Sequence, residues 1–133
     1  MNRPENASSA VEALLCEVRV ALRRLAEAAE PTTIDLGPLP LSPAEFTALE
    51  RALGEGEVTA RLDALGTTSV RETAVPGVWW VTHDGCAGRV AGPQLEVARW
   101  PALLETPAET LRSGLASLDA LLDASQERPT PMN

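Results

Sequence analysis

The chain has 133 residues, with 11 arginines and no lysine against 19 aspartates and glutamates, for a formal net charge of -8. That length most often makes one domain with its own core. An acidic balance without a clustered basic face excludes a binder of nucleic-acid backbone, and no run of 18 apolar residues exists to span a bilayer.

Residues 1–13 carry Glu5 and Glu12 and only Arg3 ahead of the first apolar pair, unlike the basic and then apolar start of a secretory signal. A soluble, cytoplasmic protein is therefore expected. Thiols stay reduced in that compartment, so Cys16 and Cys86 read as free thiols. Over residues 8–30, Val11, Leu14, Leu15, Val18, Leu22, Leu25 and Ala29 recur at three- and four-residue steps, and Glu17, Arg23, Arg24 and Glu27 take the complement. The spacing predicts an amphipathic helix, with Cys16 as a small buried hydrophobe on its apolar side. Pro31 cannot continue the helix. Residues 32–36 are β-rich enough for a short strand ahead of Gly37, Pro38, Leu39 and Pro40.

A second helix opens at Ser42-Pro43-Ala44-Glu45. Ser42 is suited to cap it, Pro43 fits the first helical position, and Glu45 can complete a capping box. Gly54 is placed to end it. Val58, Ala60, Leu62 and Ala64 then alternate with polar neighbours, the period of a strand with one buried face. Strands are expected over 58–64, 68–75, 77–82 and 94–100. Residues 83–93 form a hairpin connection, with Asp84-Gly85 as a candidate turn. Thr106-Pro107-Ala108-Glu109 repeats the cap and opens a third helix. Its stripe of Leu111, Leu115, Leu118 and Leu122 is expected to cover the sheet, and the tail 126–133 is expected to be disordered. The order predicts an α+β fold, an antiparallel meander of three to five strands with about three helices, in one domain spanning 1–125.

Several groups invite a chemical reading. Glu55 and Glu57 flank Gly56 in an acidic turn, which lacks the basic residue of a phosphate loop and any companion base for catalysis. It is either a helix stop or a site for arginines on another protein. Glu72, if its strand alternates regularly, shares a face with Val70 and Ala74. An inward carboxylate needs a partner, Arg61 or Arg71, and a surface salt bridge is the alternative. Trp79 and Trp80 point to opposite faces of one strand. One face makes the core, and the other needs a cover from a helix of this chain or from another protein. His83 and Cys86 form an H-x-x-C pair, but one histidine and two cysteines in the whole chain are too few ligands for a metal site. No cofactor, metal or catalytic residue is expected.

The turn Gly54-Glu55-Gly56-Glu57, the strand over 58–64, Arg71-Glu72-Thr73 and Pro76-Gly77-Val78-Trp79 together resemble the C-terminal conserved domain of the HupH/HyaF hydrogenase expression proteins. Leu95, Glu96, Val97, Trp100, Pro101, Leu103 and Leu104 extend the resemblance. It implies an α+β accessory protein, not an enzyme, that assists maturation of a nickel-iron hydrogenase by binding a hydrogenase subunit or another maturation factor. It also places Glu72 on a characteristic position, while Trp80 departs from the basic or polar residue expected after Gly-Val-Trp. The chain looks shorter than a full-length member. The expected partner surface is Glu55, Glu57, Glu72 and Trp80, with Trp79 in the core and a homodimer left open. The alternatives are a small acidic dimeric secretion-type chaperone and a metal carrier using His83 and Cys86.

Overall fold

Three- and four-residue apolar steps give α1 (Glu5–Ala28) a buried stripe of Val11, Leu14, Val18, Ala21 and Leu25. The computed structural model describes residues 5–64, 66–84 and 92–127. The helix stops where Ala29 swings to a φ of 56° while its N–H still bonds the Leu25 carbonyl at 3.0 Å, two residues before Pro31. Cys16 is exposed, which corrects its expected burial. It lies two residues from both Leu14 and Val18, about 200° around the helix from each, and so on the wet side.

Two strands and a helix follow the turn after α1 and Pro31: β1 (Thr32–Asp35), then α2 (Pro43–Leu53), then β2 (Thr59–Ala64). The α2 start is as the sequence demands. Ser42 Oγ accepts from Glu45 N–H at 3.1 Å, the Glu45 carboxylate accepts from Ser42 N–H at 3.0 Å, and Pro43 occupies the first turn. β3 (Gly66–Glu72), β4 (Val78–Asp84) and β5 (Gln94–Val97) complete an antiparallel five-stranded sheet in the order β1-β5-β4-β3-β2. The last four strands form the expected meander, and β1 joins at the far edge against β5, with Thr32 opposite Val97 and Asp35 opposite Gln94.

Register assigns the faces, because residues opposite one another share one. Arg71, Trp80, Leu95 and Ile34 form one row across β3, β4, β5 and β1, and Glu72, Trp79, Glu96 and Thr33 form the next, on the other side. The first face carries the main core. Val78, Trp80, Leu95 and Val97 meet Leu14, Val18 and Leu25 of α1 and Leu49 and Leu53 of α2. The second face holds a smaller buried group of Val70, Trp79 and Val81, with Ala60 against it.

The expected strand over 68–75 ends at Glu72 and that over 94–100 at Val97, because side-chain and turn hydrogen bonds take over. Thr73 is buried, and its hydroxyl donates to the Val78 carbonyl at 2.9 Å and accepts from Val75 N–H at 3.1 Å, closing a tight turn through Pro76 and Gly77. Ala98 N–H bonds the Gly77 carbonyl at 2.9 Å. After β5 the buried Glu96 carboxylate accepts from Ala102 N–H at 2.6 Å.

The chain divides into two compact units, Met1–Ala102 and Leu103–Asn133. The first is the helix-covered sheet. The second contains α3 (Ala108–Glu127), whose Leu111, Leu115, Leu118, Leu121 and Leu122 are between 54% and 67% exposed. Within the first unit, α1 and α2 cover the first face of the sheet. Gly85, Cys86 and residues 128–133, on which the expected turn, one thiol and most of the tail fall, lie outside the described residues.

Candidate interaction site

Gly54 ends α2 with its N–H on the Glu50 carbonyl at 2.9 Å, and the chain then runs Glu55-Gly56-Glu57 back along the end of β3. Two backbone bonds fasten this turn: Gly56 N–H to the Glu72 carbonyl at 2.8 Å, and Glu72 N–H to the Val58 carbonyl at 2.8 Å. Glycine is needed at 56 for close approach. A Cβ there would fall 2.5 Å from the Thr73 carbonyl oxygen and 2.8 Å from Glu72 Oε1. Glu72 is thus half-buried and backs the turn, and neither Arg61 nor Arg71 pairs with it. Arg61 pairs with Asp63 at 3.3 Å on the surface, and Arg71 reaches Glu50 of α2 at 3.9 Å.

A cleft of about 320 Å³ opens between α2 and β3, lined among others by Thr47, Glu50, Glu55, Arg71 and Trp80. Glu55 and Glu57 are exposed, and among the described residues no ion pair engages either. The Arg71 and Glu50 side chains are each about two-fifths exposed, so their pair is screened by water and contributes at most about 1 kcal/mol. The structure brings Glu55 and Trp80 to one cleft and leaves Glu57 exposed outside its lining.

The two tryptophans lie on opposite faces, as alternation requires, but neither is open. Trp80 is 3% exposed, tilted against the Phe46 ring with centroids 5.5 Å apart. Helices of this chain cover its face, one of the two covers expected, and its burial corrects its placing on an exposed partner surface. It meets the cleft only as part of the wall. Trp79 is also buried and donates its indole N–H to the Ala98 carbonyl at 3.0 Å. His83 shares a 2.9 Å hydrogen bond with Thr68 through Nδ1. Among the described residues no three His, Cys, Asp or Glu side chains converge on a point that could hold an ion.

Sequence reasoning missed Glu50, and it named Glu96 within the resemblance without its buried role. Glu50 is one more acidic residue on a helix until the sheet is folded beside it. Glu96 could have been found from alternation, since Leu95 and Val97 claim one face and leave the carboxylate on the other.

A family model described as HupH hydrogenase expression protein, C-terminal conserved region, matches residues 9–125. The chain is 35% identical over 97 residues to the hydrogenase expression/formation protein HoxQ of Azotobacter vinelandii, a match covering 62% of this chain and 34% of that protein. It is 38% identical over 85 residues to HupQ of Azotobacter chroococcum mcd 1, described in the same words, covering 61% of this chain and 30% of the relative. The matches thus span about a third of these relatives' lengths. Among solved structures, the hydrogenase expression protein HupH from Thiobacillus denitrificans ATCC 25259 aligns with a TM-score of 0.78 at 38% identity. That alignment covers 86% of this chain and 95% of the other.

Proposed function

Because the chain belongs to the HupH hydrogenase expression protein family, through its C-terminal conserved region, we propose that it is an accessory protein in hydrogenase formation. It acts by binding a hydrogenase subunit or another maturation factor, and it is not an enzyme. Residues of a nickel-iron hydrogenase client that carry arginine suit its acidic surface.

One observation carries the binding reading: the signature residues around the acidic turn hold the fold, and the two glutamates of the turn do not. The Glu72 backbone fastens the turn, Thr73 closes the next turn, and Trp79 bonds Ala98. Glu55 and Glu57 are what this framework leaves exposed on a fixed loop. We assign them as contact residues, with Trp80 as wall of the adjoining cleft and Glu72 as the side chain that backs the turn. A rigid acidic loop meets a basic client with little ordering cost, and charge attraction speeds the encounter.

The test is twofold. Removing the gene from its host should lower hydrogenase activity through incomplete assembly, and the purified full chain should bind a purified hydrogenase subunit or maturation factor directly. Undiminished assembly in the deletion strain would end the accessory reading. Assembly that fails in that strain while no subunit or factor binds would end the binding mechanism alone.

A further inference from the structure

The leucines of α3 lie on the second unit and form an apolar face that the family reading does not use. Their spacing is a heptad pattern. Ala108, Leu115 and Leu122 recur every seven residues, and Leu111, Leu118 and Ser125 each follow one of them by three, the alternation of three and four that builds a coiled-coil seam. The steps along the seam are three, four, three, four, three. The pattern therefore reads the same from either end.

From this symmetry the geometry points to antiparallel pairing of α3 with α3 of a second copy of this chain, forming a homodimer. With the two-fold axis between Leu115 and Leu118, Leu111 of one copy meets Leu122 of the other and Leu115 meets Leu118. Four leucine layers are filled, closed at each end by Ala108 against Ser125. The flanks match as well. Arg112 and Asp119 both occupy the position that follows the second seam residue, and the antiparallel register brings Arg112 of each copy within about 3 Å, along the axis, of Asp119 of the other. Two opposite-charge pairs result. In a parallel pair in register, each arginine would instead lie level with its own counterpart.

Gly114 supplies an independent sign. A glycine inside a helix weakens it relative to alanine, and here nothing lies within 4 Å of the place its Cβ would occupy. On the other flank of the proposed pair, Leu121 of the second copy lies about 3 Å away along the axis. The fifth exposed leucine then covers the glycine. Each exposed leucine of α3 has a named occupant opposite it. The complementarity favours a second copy over an unrelated acidic or basic protein.

One pair of 20-residue helices buries less than a standard interface, which places the pair among weak associations that are populated over about 10–1000 µM chain. Sedimentation equilibrium of the full chain should show a mass rising with concentration from 14.1 kDa toward twice that value. Leu115→Glu with Leu118→Glu should hold the chain monomeric with its melting temperature unchanged. Arg112→Asp should weaken the dimer by up to about tenfold, and adding Asp119→Arg should restore it. A wild-type chain that stays monomeric across that range overturns the proposal. In that case a fall in melting temperature for the glutamate variant assigns the stripe to this chain's own core, and an unchanged one assigns it to a different protein. A dimer that the charge swap fails to restore overturns the antiparallel register.

Discussion

Trp79 and Trp80 are consecutive in β4 yet belong to separate buried clusters. Trp80 is opposite Leu95 and packs on Phe46 of α2, whereas Trp79 is opposite Glu96 and bonds the Ala98 carbonyl. Both substitutions to alanine should therefore destabilise the fold. Trp80→Ala should cost about 3–5 kcal/mol, as for truncation of a large aromatic in a packed core. Trp79→Phe, which removes the indole N–H and leaves a smaller ring, should cost about 1–3 kcal/mol. Urea unfolding measures both. A Trp80→Ala protein as stable as wild type would show that the main core does not depend on that ring.

Thr73→Val tests the turn that follows β3. The replacement keeps the side-chain volume but removes a buried hydroxyl that serves Val78 and Val75. It leaves the Val75 N–H and the Val78 carbonyl without that partner, for an expected loss of about 1–3 kcal/mol. Thr73→Ser, which retains the hydroxyl, should recover much of it. Equal losses from valine and serine would assign the effect to packing instead.

At the end of α1, Ala29 adopts a left-handed φ of 56° that suits glycine at a helix C-terminus. Ala29→Gly should stabilise the protein by up to about 1 kcal/mol, relief of a local steric cost outweighing the looser unfolded chain. Thermal unfolding reads this directly. A lower melting temperature would contradict it.

Glu55→Gln with Glu57→Gln should leave stability within about 0.5 kcal/mol, since neither carboxylate has a partner among the described ion pairs. Binding of the hydrogenase-side partner should weaken. The loss should be larger at low ionic strength than near 1 M salt, where the Debye length has shrunk to about 3 Å. A binding loss that is the same at both salt concentrations would remove charge attraction from the explanation.

Much of the architecture was legible because it is local. The period of α1, the Ser42 to Glu45 capping box, the Gly54 stop and the alternation through β2 each involve neighbours within a few residues. The acidic turn was legible for the same reason, and the Arg-Glu-Thr and Pro-Gly-Val-Trp segments through the family resemblance they carry. Their specific partners could not: Arg71 finds Glu50, and Gly56 lies under Glu72 and Thr73, only after α2 has been brought beside β3.

Alternation alone determined that Trp79 and Trp80 must separate, because successive side chains on a strand point to opposite faces. It carried no information about which face α1 and α2 would cover. That choice rests on contacts between residues such as Phe46 and Trp80, far apart in the chain and brought together only when the helices close on the sheet. Burial is a property of two surfaces, and a sequence pattern describes one of them.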